Sequence, residues 1–483
     1  MTTALENLEP NLLWKHFAAL AAIPRASTKE AAAREYVLAQ ARRLGLDSIQ
    51  DAAGNVIVRK PAYPGREQAA TAVLQGHLDM VCEKNESTEH NFDTDPIRVL
   101  RDGDWLKADG TTLGADNGVG VAAALAVMDS PELAHGPLEF VFTIDEETGL
   151  TGATSFSGGV LRAKYFLNLD NEDIGTLCIG CAGGVNTLAR RKVAWRPASG
   201  GAAHRIKATG LQGGHSGVDI NLGRGNALRV LGAVLQRLIE RLSVQIAVLK
   251  GGSAHNAIPR EAWAVVLAEA GQESDLKSLV AAIEAELRLD LGGFDPGLQI
   301  TVENVARPEQ VLTAEDAKRT ADLLVSMPHG VLAMSPDVAG LVQNSTNLAT
   351  VALRDREIEI GTSQRSAIES SKWAAANRVA TVCRLAGFEV EHTASYPGWK
   401  PEPDSELVQQ MQAAHRELYG EPARLLAMHA GLECGVIGKQ YPGMQMVSFG
   451  PQIENPHSPN ERVQISSVAT FWNYLRKVLE TLA

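Results

Sequence analysis

The 483-residue sequence predicts an α/β protein: a mixed, largely parallel sheet with helices on both faces, interrupted by an inserted α+β domain. Three observations predict it. The segments TAVLQGHLDMV, LEFVFTIDEE, KYFLNLDNED and MQMVSFG are short, continuous apolar runs, the pattern of strands buried on both faces of a sheet. Ala-rich helical stretches such as Gly120 to Met128 lie between some of them. The character then changes near Gly183 to Arg190 and changes back near Gly398. The resulting division is a first α/β part over 1–185, an inserted domain over 186–396 and a second α/β part over 397–483.

Taken in order, Ser27 to Leu44 reads as a helix, with Ser27 and Glu30 as a capping box and Gly45 as its stop. AGNVIVRK follows as a strand. Inside the inserted domain, strand HRIKATG, a helix, strands QIAVLK and AWAVVLAEA, a helix and strand LQITVENVA form one round. A helix, strands NLATVAL and EIEIGTS, a helix and strand FEVEHTA repeat most of that order without evident sequence identity. A doubled βαββαβ-like plan is expected. A helix over Asp404 to Tyr419 and the strand MQMVSFG complete the chain.

Composition narrows the function. The chain is 45% hydrophobic and 21% charged with net charge −12, which gives nucleic acid no electrostatic footprint. The N-terminus lacks a basic segment followed by a long apolar stretch, and Gly118 to Met128 is too short to span a bilayer. A cytoplasmic protein without a membrane partner is expected. Cys178 and Cys181 form a Cys-x-x-Cys in a strand-like run and read as reduced thiols near a turn.

Five residues sit where apolar runs stop or Gly-rich turns begin: His77, Asp116, Glu147, Asp170 and His457. Strand ends of this kind are where open α/β sheets build active sites. Two imidazoles and three carboxylates, with no thiolate, suit a two-zinc centre and hydrolysis by activated water. Asp79 shares a strand face with His77 and is placed to orient its ring. Asp145, Glu146 and Glu147 repel one another unless a cation or protons compensate. The functional reading gives Glu147 to a metal and leaves Glu146 as general base. Simpler readings stand beside these: Asp116 as a helix N-cap, the acidic triplet as a solvated turn, His457 as an exposed loop residue.

The motifs GHLDMV, GADNGVGVA, DEETGLTGA, LDNED and PHSPNE together resemble the di-zinc aminoacylase and carboxypeptidase family of co-catalytic metallopeptidases. The resemblance spans nearly the whole chain. It implies one zinc on His77, Asp116 and Asp170, and another on Asp116, Glu147 and His457, with Co2+ or Mn2+ as substitutes. It implies Asp79 as the clamp of His77, Glu146 as base and then acid, and a cis peptide at Asp116–Asn117. The inserted domain resembles the family's lid, which implies substrate-binding roles for His215, Asn256 and Arg365. His429 and Glu433 resemble a loop that lines the pocket. The activity implied is hydrolysis of unblocked dipeptides, Xaa-His favoured, with a deacylase, tripeptidase or broad carboxypeptidase as the alternative and an inactive binding homologue behind it. The doubled lid leaves both a monomer and a homodimer open.

Overall fold

The structure is a computed structural model and describes residues 3–483. The chain forms two compact units, residues 1–181, 399–427 and 432–483 in the first and residues 182–398 and 428–431 in the second. In chain order the first unit supplies strands β1 (Asp47–Gln50), β2 (Val56–Lys60), β3 (Ala72–His77), β4 (Leu138–Thr143), β5 (Tyr165–Asn168) and β6 (Thr176–Cys181). The inserted segment carries β7 (Gly183–Lys192), β8 (Ala203–Thr209), β9 (Gln245–Gly251), β10 (Ala262–Leu267), β11 (Gln299–Val305), β12 (Val342–Arg354), β13 (Glu357–Ser366) and β14 (Glu389–Tyr396). The last strands are β15 (Arg424–Met428) and β16 (Gln445–Ser448).

The main sheet of the first unit runs β1-β2-β4-β3-β5-β16-β6-β15. Its centre is parallel: β3 pairs in parallel with β4 and β5, and β16 with β5. Alternation explains why these strands read as unbroken apolar runs. Leu74, Phe140, Phe142, Leu167 and Val447 face one buried cluster, which includes the helices Ala115–Met128 and Ile465–Leu482. Val73, Val141, Phe166 and Met446 face another, with Ile437 from the helix Glu433–Gln440. Both faces are therefore apolar.

The expected capping box does not form. The helix starts at Ala31, and Glu30 precedes it without a side-chain cap. Ser27 Oγ donates to Asp79 Oδ2 at 2.8 Å, while Glu30 Oε1 accepts from the Thr28 and Asp145 N–H groups. Buried partners from other segments take both side chains away from the local cap. Gly45 follows the helix with φ 67°, the left-handed stop expected.

The large sheet of the second unit runs β11-β8-β10-β9-β12-β13-β7-β14, with Gly330–Met334 added against β12. Its first half follows β8, helix Ala227–Leu242, β9, β10, helix Glu273–Leu291, β11. The second round lacks an opening strand in sequence order, and β7 supplies it from ahead of the first round. With β7 standing for β8, the halves share one strand order and meet where Lys250 faces Ala352. Asn226 caps the helix Ala227–Leu242, its side chain accepting from the Leu228 and Arg229 N–H groups. Among the described residues no helix is long and apolar enough to cross a membrane.

Candidate metal centre

Parallel strands bring their carboxyl ends to one edge. His77 closes β3 in register with Thr143 of β4, and Gln75 of β3 is in register with Asn168 of β5. The segments that follow β4 and β5 carry Glu146, Glu147 and Asp170. A polar ladder lies beneath them: Asn168 Nδ2 donates to Gln75 Oε1 at 2.6 Å, and Gln75 Nε2 donates to Thr143 Oγ1 at 3.1 Å. Gly76 is required here, since a Cβ would sit 2.2 Å from Asn117 Oδ1.

The five donors converge in two overlapping groups. Donor atoms of His77, Asp116 and Asp170 lie within 4.8 Å of one another, as do those of Asp116, Glu147 and His457. Asp116 belongs to both. Its Oδ1 lies 3.1 Å from His77 Nε2 and its Oδ2 lies 3.1 Å from His457 Nε2. His77 Nε2 is 3.3 Å from Asp170 Oδ1, and His457 Nε2 is 3.0 Å from Glu147 Oε2. Asp116 has the extended backbone of a helix cap (φ −80°, ψ 115°), but its carboxylate oxygens face His77 and His457. The Asp116–Asn117 peptide is cis. His457 has φ 59° and Asp145 φ 50°, left-handed values that non-glycine residues adopt rarely.

Asp79 faces the other side of the His77 ring, Oδ1 lying 3.3 Å from Nδ1. It is fully buried and accepts from the Glu146 and Glu147 N–H groups as well as Ser27 Oγ. These contacts and the His77 ring hold its carboxyl low against the opposing effect of burial. Glu146 is pushed up to about 8, first by burial and then by the charges of Glu433, Glu147 and Asp116, against the pull of His77.

The donor set fits a pair of divalent cations. Burial pushes Asp170 well above the usual carboxylate range and Glu172 up to about 8. His457 is raised to about 11 by its contacts with Asp116 and Glu147. Positive charge is what these carboxylates require, and Glu147 Oε1 is buried with no hydrogen-bond partner. Imidazole and carboxylate donors without thiolate suit zinc, with cobalt or manganese next. Cys178 and Cys181 are buried in β6 and belong to neither group.

The remaining residues fall into two sets. Glu433 lies in the first unit, 1% exposed, its Oε2 accepting from Gln75 Nε2 and Thr143 Oγ1. Burial lifts it to about 7. His215, Asn256, Arg365 and His429 all lie in the second unit. His215 Nδ1 accepts from the Gly217 and Val218 N–H groups, which leaves the ring proton on Nε2. Burial first, and then Arg365, lowers its pKa, so the ring is neutral. Asn256 is exposed, and its carbonyl accepts from Ser216 N–H at 2.7 Å. Arg365 lies within β13, only 6% exposed, with Nη1 donating to Tyr396 Oη at 2.8 Å. His429 is buried, and its Nε2 lies 2.7 Å from Ser345 Oγ. The stretch MHAGLECG is thus shared between the units.

Two buried residues had no role in the sequence reading. Glu461 accepts four backbone N–H groups from the Asp116 segment, and Arg25 donates to carbonyls of both the Asp79 and Gly114 segments. Glu461 lies inside PHSPNE, but sequence carries no signal for a side chain whose partners are distant backbone groups.

The chain belongs to peptidase family M20/M25/M40, whose profile matches residues 73–481. It is 38% identical over 479 residues to the cytosol non-specific dipeptidase of Escherichia coli (strain K12), covering 99% of each chain. The crystal structure of aminoacylhistidine dipeptidase from Vibrio alginolyticus superposes with a TM-score of 0.92 at 39% identity, over 99% of this chain and 98% of that one. An aminopeptidase from Bacillus cereus shares the fold, with a TM-score of 0.57 at 17% identity over 98% and 99% of the two chains.

Proposed function

We propose that this chain is a di-zinc dipeptidase hydrolysing unblocked dipeptides, with Xaa-His favoured. The observation that carries the reading is the meeting of His77, Asp116, Glu147, Asp170 and His457 around one shared carboxylate. Near-complete coverage by relatives named as dipeptidases supports the substrate class. One metal would be held by His77, Asp116 and Asp170, the other by Asp116, Glu147 and His457. Zinc, when bound, polarises a carbonyl and makes water acidic enough to attack at neutral pH.

The chain's own residues do the rest. Glu146, held beside the donors by its N–H bond to Asp79, takes the proton of the attacking water and returns it to the leaving amine. Asp79 keeps the His77 ring in place. His215 offers a neutral Nε2–H to the carbonyl oxygen, and Arg365 offers a planar fork to the terminal carboxylate. Asn256, His429 and Glu433 complete the substrate contacts in this reading. Residues 186–396 act as the lid domain, between catalytic parts at 1–185 and 397–483. A cytoplasmic location accords with the name of the Escherichia coli relative.

A broader dipeptidase is the second reading, favoured by the word non-specific in that relative's name. Turnover of carnosine, Gly-His, Gly-Leu, an N-acetyl amino acid and a tripeptide by the zinc-loaded protein separates these. Fast Xaa-His cleavage supports the first reading and equal rates on Gly-Leu the second. Faster deacylation or tripeptide cleavage ends both.

A further inference from the structure

Asp116 opens a helix, and an aspartate in that place ordinarily turns its carboxylate back onto the helix N–H groups. Here the carboxylate faces His77 and His457 instead, and the N–H groups of the segment leading into it go to Glu461. Leu113 and Gly114 N–H donate to Glu461 Oε2 at 2.7 and 2.9 Å, and Ala115 and Asp116 N–H donate to Oε1 at 2.7 and 3.2 Å. Two oxygens with four lone-pair sites accept four donors. Glu461 is 2% exposed. Asp116 keeps both its oxygens for His77 and His457.

Arg25 grips the same segment from its carbonyl side. Its Nη2 donates to Gly114 O at 2.5 Å, and its Nη1 donates to Leu78 O and Asp79 O at 3.0 and 2.8 Å. The segments bearing His77 and Asp116 are thus tied through one guanidinium. Gly114 makes the grip fit: it has φ 68°, and a Cβ there would lie 2.5 Å from Arg25 Nη2.

Glu461 also ends the loop that carries His457. That loop joins the strands Ile453–Glu454 and Arg462–Gln464, and the second of these pairs with Trp105–Ala108. The His457 side chain is 51% exposed, and its backbone is left-handed. The four bonds to Glu461, four residues on, are what fix the end of its loop against the Asp116 segment.

We propose that Glu461 is a positioning residue that pre-assembles the half of the centre formed by Asp116, Glu147 and His457. This rests on the two-zinc reading above. Outer partners of metal ligands typically govern affinity by about 10–100-fold.

The test is zinc titration of the full-length apoprotein against a chromogenic chelator, with circular dichroism and thermal melting of the same apoprotein. Wild type is expected to bind two zinc ions tightly. Glu461→Gln should keep the wild-type spectrum and melting temperature, retain one tight zinc and bind the second at least about tenfold more weakly. His457→Ala should lose that same zinc, and the double variant should lose nothing further. Unchanged affinity for both ions in Glu461→Gln overturns the proposal. If that variant does not fold, Glu461→Asp keeps the charge with a shorter reach and must show the same selective loss. Unfolding of both makes Glu461 plain scaffold and also overturns it. A wild-type protein that binds fewer than two ions sinks instead the reading on which the proposal stands.

Discussion

His457 Nε2 lies 3.1 Å from Asp116 Oδ2 although 341 sequence positions separate the two residues, and the other oxygen of that carboxylate faces His77. A shared carboxylate makes the two halves of the centre unequal to mutation. Asp116→Ala should lose both zinc ions and His457→Ala only one, as read by metal analysis of dialysed protein. Equal losses in the two variants would contradict the shared role.

Glu146 touches neither His457 nor Asp116 by hydrogen bond, yet it lies buried among the charges of Glu433, Glu147 and Asp116. Glu146→Gln should keep two zinc ions and lose kcat by about a hundredfold or more, the usual weight of a general base. Steady-state kinetics beside metal analysis check this.

Asp79 holds the His77 ring and receives the two N–H groups at the start of the acidic turn. Asp79→Asn preserves size while weakening each contact, and zinc affinity should fall by about 10–100-fold. Ser27→Ala removes one of four contacts and should cost much less. Chelator competition ranks the two.

Arg365 is buried in β13 with its Nη1 on Tyr396 Oη. Arg365→Lys keeps the charge but not the planar fork. KM for a dipeptide should rise by about tenfold or more, the weight of a hydrogen bond to a charged group, with kcat changed far less. Initial-rate kinetics separate the two terms.

His329 gives a pH signature in the second unit. Burial first, then Arg229, lowers it to about 4, and its Nδ1 accepts from the Leu348 N–H group. An unfolded histidine titrates near 6.5. Its contribution to stability is therefore whole above about pH 6.5 and lost as pH falls toward 4. His329→Gln, which cannot take that proton, should flatten the fall in urea midpoint between pH 7 and 4.5.

The strands and donors were legible in sequence for a shared reason. Parallel strands buried on both faces read as apolar runs, and polar residues at or just past their ends include His77, Glu146, Glu147 and Asp170. The rest was hidden because the partners are remote. β7 pairs with β13, residues 357–366, so nothing local marks it as the opening strand of the second round. Ser27 and Glu30 carry a capping pattern that Asp79 and Asp145 override. Arg25 and Glu461 bind backbone groups, which any sequence supplies.

In the proposed centre one aspartate, Asp116, joins two metal ions. Anomalous diffraction at the zinc edge from crystals of the zinc-loaded protein tests it most directly. Two peaks are expected, one among His77, Asp116 and Asp170 and one among Asp116, Glu147 and His457. A single peak, or two peaks with Asp116 bound to neither or only one, would contradict it.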